Sequence, residues 1–129
     1  MDRISVDEAT RNLQDLLNVV ANGKQRFVIN NATEDLAAIL STEDLSLLET
    51  LDQDGSQAKA VSLDEASLQS QVAEKVAESA ANNQRFIVTR GDREMAAIVP
   101  MKDIQMLVGL DGQIDLAAAK KLLDKQLGR

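Results

Sequence analysis

Gln25-Arg26-Phe27-Val28-Ile29 returns as Gln84-Arg85-Phe86-Ile87-Val88, and Leu36-Ala37-Ala38-Ile39-Leu40 returns as Met95-Ala96-Ala97-Ile98-Val99. Both pairs are 59 residues apart, and Asp44 and Leu48 recur as Asp103 and Leu107 at the same distance, so 24 consecutive positions align without a gap. A repeat of this period is the first feature to interpret, because it makes the fold two copies of one unit. Within each copy a short β-rich run, a polar turn and a second apolar run follow one another, which is the pattern of a hairpin. The turn Arg90-Gly91-Asp92-Arg93-Glu94 carries a glycine signal, whereas Asn30 to Asp35 relies on asparagines. The returning strands are apolar at consecutive positions, so both faces of the sheet should be covered.

Upstream, Ser5-Val6-Asp7-Glu8-Ala9 resembles Ser62-Leu63-Asp64-Glu65-Ala66 at an offset of 57, which implies two extra residues in the second copy before the hairpin. Both segments have the Ser-x-x-Glu spacing of a capping box and predict a helix start, with Ile4 and Val61 just outside it as staple residues or the end of a short strand. Ala9, Leu13, Leu16, Leu17 and Val20 then keep helical spacing to Asn22-Gly23, and Ala66, Leu68, Val72, Val76 and Ala80 keep it to Asn82-Asn83. A second helix is expected from Ser41-Thr42, with Leu45, Leu48 and Leu51 inward, and from Pro100, with Ile104 and Leu107 inward. The expected organisation is a first repeat over 1–51, a polar linker over 52–60 containing Asp54-Gly55-Ser56, a second repeat over 61–108 and a helical tail over 109–129. A unit of about 50 residues seldom builds a sufficient core alone. The two copies should therefore pack together, each covering the sheet face that the other leaves open.

Composition narrows the chemistry. The chain has no His and no Cys, hence no imidazole base, no thiolate, no disulfide and no ordinary zinc site. The carboxylate pairs Asp7-Glu8, Asp64-Glu65 and Glu34-Asp35 are explained by helix starts and turns, and no phosphate-binding loop or nucleophile with a base is present, so no catalytic residue, metal or cofactor is expected. With no Trp or Tyr and only Phe27 and Phe86, the chain lacks stacking platforms for single-stranded nucleic acid. The longest near-apolar run, Met95 to Met101, is far too short for a membrane span, and the polar Met1-Asp2-Arg3 does not read as a secretory signal, so the cytoplasm is the expected location. The net charge of −7 lies mainly in residues 1 to 51, which hold four basic and nine acidic residues against nine and ten in 61 to 129. Its field opposes approach to phosphate except through a local patch.

The ordered set Ile4, Ser5, Glu8, Ala9, Asn12, Leu13, then Phe27-Val28-Ile29, Ala37-Ala38-Ile39-Leu40-Ser41 and Glu43-Asp44 resembles the N-terminal domain of Phd/YefM antitoxins over residues 3 to 51, and returns more weakly over 60 to 108. The resemblance implies an α+β fold: two tandem Phd/YefM-like strand, helix, hairpin, helix units forming an intramolecular pseudo-dimer, plus a C-terminal helix. It also implies an antitoxin-like protein of a type II toxin–antitoxin system, whose partners are a toxin protein and operator duplex DNA, with transcriptional autorepression. The alternative is a non-catalytic protein–protein interaction module that kept the fold and lost DNA binding. Two family positions that commonly carry DNA-contacting arginines hold Thr10 and Ser67, and Asn31 and Arg90, so one arginine of four is present; Arg11 lies one position late.

The candidate DNA-binding residues are Arg3, Arg11, Arg85, Arg90 and Arg93, because guanidinium forks fit phosphate oxygens. The competing explanation is surface charge paired with acids such as Asp92 and Glu94. The candidate partner-binding residues are Leu116, Ala119, Leu122, Leu123 and Leu127, one stripe of a helix that Asp115 can cap and that Lys120, Lys121, Lys125 and Arg129 favour at its C-terminal end. At about 13 residues such a helix is marginal alone and must dock on its own body, a second chain or a toxin. An asymmetric pseudo-dimer has no reason to prefer a palindromic site unless chains associate into a homo-oligomer.

Overall fold

A computed structural model describes residues 2–23, 25–51 and 60–109. The elements in chain order are β1 (Asp2–Ser5), α1 (Val6–Arg11), α2 (Leu13–Gly23), β2 (Phe27–Asn30), β3 (Asp35–Leu40), α3 (Thr42–Leu51), β4 (Val61–Asp64), α4 (Glu65–Gln69), α5 (Val72–Asn82), β5 (Phe86–Arg90), β6 (Arg93–Pro100) and α6 (101–109). The chain is a mixed α+β protein in which the same order of elements occurs twice. All of the proposed 52–60 linker but residue 60, and all of the proposed 109–129 tail but residue 109, lie outside the described residues.

One six-stranded sheet runs through both halves in the order β1-β2-β3-β6-β5-β4. β1 is parallel to β2 and β4 to β5, each across its helix pair, and the hairpins β2–β3 and β5–β6 are antiparallel. The halves join at β3 and β6, antiparallel, with Ala38 opposite Val99, Ile39 opposite Ile98 and Leu40 opposite Ala97. Ile98 is the counterpart of Ile39 at the 59-residue offset, so the pair Ile39–Ile98 lies where an approximate two-fold axis crosses the sheet. The neighbouring pairs exchange with each other about it.

Side chains alternate across this seam as a strand requires. Ala37, Ile39, Ala96 and Ile98 face the layer made by α1, α2, α4 and α5, where Leu13, Leu17, Val20, Leu68, Val72 and Val76 are buried. Ala38, Leu40, Ala97 and Val99 face α3 and α6 with Leu45, Leu48, Ile104 and Leu107. Both sheet faces are thus closed, as the unbroken apolar runs predict. α2 lies more over β6 than over its own β3, and α5 more over β3 than over β6, so much of each half's cover comes from the other half.

Three expectations about the helices change. The first helix of each half is broken in two: Asn12 (φ −116°, ψ 26°) separates α1 from α2, and Ser70-Gln71 separates α4 from α5. Asn and Ser tolerate such breaks because their side chains compete for nearby backbone groups. The capping box forms at Ser5, whose Oγ accepts from the Glu8 N–H at 3.0 Å while the Glu8 carboxylate accepts from the Ser5 N–H at 3.3 Å. It does not form at Ser62, which lies inside β4; there Asp64 is the cap, accepting from the Ala66 N–H at 3.1 Å. The register explains why. Asp2 pairs with Phe27 as Val61 pairs with Phe86, so the structural offset is 59 upstream as well, and no two-residue insertion exists. The likeness at offset 57 had aligned residues that do not correspond: the counterpart of Ser5 is Asp64, and that of Thr10 is Gln69, not Ser67.

The hairpin turns differ. β5 and β6 are joined by Gly91-Asp92, with Gly91 at φ +62°, a conformation that favours glycine. The first turn is held by Asn31, whose Oδ1 accepts from the N–H groups of Thr33 and Glu34, both at 2.8 Å. Each hairpin has a register shift at the same place, between Ile29 and Asn30 and between Val88 and Thr89.

Candidate functional site

The five arginines do not form one patch. Arg3 sits on the edge strand β1 and donates to Asp35, with Nη2–Oδ2 at 3.1 Å and Nε–Oδ1 at 3.2 Å. The hydrogen bond from Arg3 holds the Asp35 carboxyl below its ordinary value, and the guanidinium is raised in turn. Arg93 opens β6 and lines a small hollow of about 120 Å³ with Ser41, Thr42, Glu43 and Glu94, at the start of α3.

Arg11 and Arg90 belong to the α1/α4 side. Arg11, exposed at the end of α1, lines a cleft with Val6, Asp7, Thr10 and Ala73. Arg90, at the end of β5, lines another with Gln14, Asp64, Glu65 and Gln69, about 410 Å³ in volume. Between them the Gln69 side-chain amide donates to the Thr10 carbonyl. Thr10 and Gln69 are counterparts, so their contact marks the helical side of the approximate two-fold axis.

Arg85 leaves the candidate set. Its side chain is 3% exposed, and it donates to Asp103, itself 1% exposed, with Nε–Oδ2 at 2.8 Å and Nη2–Oδ1 at 3.2 Å. A guanidinium committed to a buried carboxylate is not presented to phosphate. Its counterpart Arg26 donates in the same way to Asp44, with Nε–Oδ2 at 2.8 Å and Nη2–Oδ1 at 2.9 Å. Sequence reasoning missed this pair of pairs, although its signal was present: an Arg and an Asp, 18 residues apart, recur together at the offset that defines the repeat. Each pair ties the residue before the first hairpin strand to the first turn of the helix that follows the hairpin.

No family model, no curated protein and no solved structure matches this chain. The site's character therefore rests on its residues. Arg90 donates to Glu65 through Nε at 2.6 Å and Nη2 at 3.3 Å, and to Asn18 of α2 through Nη1 at 2.9 Å. The hydrogen bond that Arg90 donates to Glu65 raises the Arg90 pKa above its ordinary value, so the guanidinium stays charged. On the α1/α4 side, Arg11 and Arg90 stand with four carboxylates: Asp7, Glu8, Asp64 and Glu65. Sequence reasoning also missed Glu65 as a partner, since it had assigned that residue to a capping box. Leu116, Ala119, Leu122, Leu123 and Leu127 lie outside the described residues. Among the described residues no helix is long and apolar enough to cross a membrane.

Proposed function

We propose that this chain is a single-chain form of a Phd/YefM-type antitoxin dimer: two tandem units closed into an intramolecular pseudo-dimer, non-catalytic, acting in the cytoplasm by holding a partner toxin protein. The observation that carries the reading is the seam at Ile39–Ile98, about which two halves of identical element order complete one sheet. The ordered resemblance over residues 3 to 51 supports the family, and the absence of His and Cys supports a binding role over a catalytic one. The test is growth rescue. A small basic protein that co-purifies with this chain from native extract should arrest cells when produced alone and let them grow when the chain is co-produced; growth arrest that the chain does not relieve, or capture of no such protein, would refute the toxin-holding role.

For the DNA half of the family's activity, one observation favours the second reading, a protein-interaction module that lost operator binding. Arg3, Arg85 and Arg90 are occupied by carboxylates of their own chain, and the α1/α4 side carries more acid than base. Phosphate contact would require breaking those pairs against a repulsive field. Anisotropy of a labelled duplex, followed from about 50 to about 200 mM salt, separates the readings, because several phosphate contacts impose a steep loss of affinity with salt. A steep slope that Arg11→Ala and Arg93→Ala flatten would restore operator binding and autorepression to the proposal.

A further inference from the structure

We infer that the two halves of this chain are built to pair with each other rather than with copies of themselves, and that Arg90, through Asn18, carries the selection. The inference rests on the one-chain pairing proposed above and not on the toxin or DNA roles.

A duplicated unit faces a choice that a simple homodimer does not. First half with second, first with first, and second with second all share one backbone geometry. The three central pairs of the sheet seam do not discriminate among them. In the observed pairing each small residue meets a larger one, Ala38 against Val99 and Ala97 against Leu40. Two first halves would set Ala38 against Leu40, and two second halves Ala97 against Val99, with isoleucine on the axis in every case. A bond that chooses between pairings lies in the helical layer.

There, Arg90 crosses between the halves and reaches the Asn18 side chain of α2 at 2.9 Å, while Glu65 grips the other edge of the same guanidinium and so aims it. The counterparts of Arg90, Asn18 and Glu65 are Asn31, Ala77 and Val6, which can reproduce none of this. Two second halves would set Arg90 against Ala77, a cation without its acceptor in the other half; two first halves would set Asn31 against Asn18, with no cation. The Gln69 amide also crosses, but its acceptor is the Thr10 backbone carbonyl, which any residue in that place supplies, so it holds the halves together without choosing between pairings. Specificity of this kind is a difference between competing pairings, achieved by bonds that the wrong partner leaves unmade. The consequence is a chain that closes on itself while its relatedness to its neighbours would otherwise invite exchange.

The experiment inserts a protease site between Gly55 and Ser56, cleaves the folded protein, mixes it with an isotope-labelled copy and counts half–half pairs by native mass spectrometry. The expected result is pairs of unlike halves almost exclusively. In Arg90→Ala, the equilibrium constant for exchange into like pairs should rise on the order of thirtyfold, since exchange breaks two such bonds in the unsubstituted protein and none in the variant. Random proportions in the unsubstituted protein, with only half of the pairs unlike, would overturn the selection while leaving the pairing. Separation of the cleaved halves into unpaired species would overturn the pairing itself. The intact chain supplies an independent measurement: Asn18→Asp should raise the thermal midpoint, and the gain should vanish in Arg90→Ala. Ala77→Asp, opposite Asn31, should give no gain. An equal gain from Asn18→Asp with and without Arg90 would refute the role of this contact.

Discussion

Arg26–Asp44 and Arg85–Asp103 are the same interaction made twice in different surroundings. The first pair keeps 18% and 15% of its side-chain surface in water, the second 3% and 1%. The helix starts differ accordingly. Ser41 Oγ accepts from the Asp44 N–H at 3.2 Å beside the first pair, whereas Pro100 and Met101 replace Ser41 and Thr42 beside the second. The repeat thus keeps one geometry in two dielectric environments, and the two pairs should respond very differently to the loss of a partner.

The largest effect is expected there. Asp103→Ala removes the carboxylate from a charged, buried guanidinium, at a cost of about 3 to 5 kcal/mol, whereas Asp44→Ala lets water replace the carboxylate and should cost about 1.5 kcal/mol. Urea midpoints of the two variants measure the difference, and equal shifts would show that burial does not distinguish the pairs. Replacing both partners, Arg85→Met with Asp103→Leu, should recover most of the loss, because a buried ion pair seldom outperforms apolar packing of similar volume.

The hairpin turns give the next contrast. Asn31→Ala removes the acceptor that organises the first turn and should cost about 1 to 2 kcal/mol. Gly91→Ala retains every bond of the second turn but forces an alanine to φ +62°, for about 1 kcal/mol. Hydrogen exchange should localise each loss to its own hairpin; spreading of either across the seam would mean that the hairpins do not fold as separate parts of the sheet.

Where the first half buries Val20 in its second helix, the second half buries Ser79, whose hydroxyl finds no partner among the described residues. A desolvated hydroxyl without a bond opposes folding, and serine is the poorer helix former. Ser79→Ala should therefore stabilise the chain by about 1 kcal/mol, visible as a higher thermal midpoint. Val20→Ala, which only deletes packing, should move the midpoint down.

Much of this architecture was legible in the sequence. The consecutive apolar residues of Leu36–Leu40 and Met95–Val99 signal a sheet covered on both sides, but each half sends helices to both faces, so the expectation that one half covers the face the other leaves open is not met: the halves share each cover instead. Helix breaks at Asn12 and Ser70-Gln71 were not legible, because Ala9, Leu13 and Leu17, and Leu68, Val72 and Val76, keep helical spacing straight through them. Arg85 was misjudged for a related reason: hydropathy places arginine outside, and only the recurrence of Asp103 signalled a partner inside. Arg90, expected in the turn, instead ends β5, and its partners Glu65 and Asn18 are 25 and 72 residues away, so no local pattern names them.

The smallest predicted effect is the most direct check on how the halves correspond. Ser5 and Ser62 both stand three residues before a glutamate, and by spacing alone both should cap a helix. In the fold Ser5 caps and Ser62 is an exposed residue of the edge strand β4, with Asp64 in the capping position. Ser5→Ala and Asp64→Ala should each cost about 1 kcal/mol, the usual value of a lost N-cap, and Ser62→Ala should stay within about 0.5 kcal/mol of the parent. The physical reason is register. β4 pairs with β5 as β1 pairs with β2, and shifting β4 by two residues to restore the offset of 57 would put Ser62 opposite Thr89 and draw Leu63 out of the strand and away from the core it touches. A two-residue slip keeps each side chain on its face of the sheet, so hydrophobic alternation alone does not forbid it. The position of the helix start does, and a destabilised Ser62→Ala beside a neutral Asp64→Ala would mean that the slipped register is the one the chain adopts.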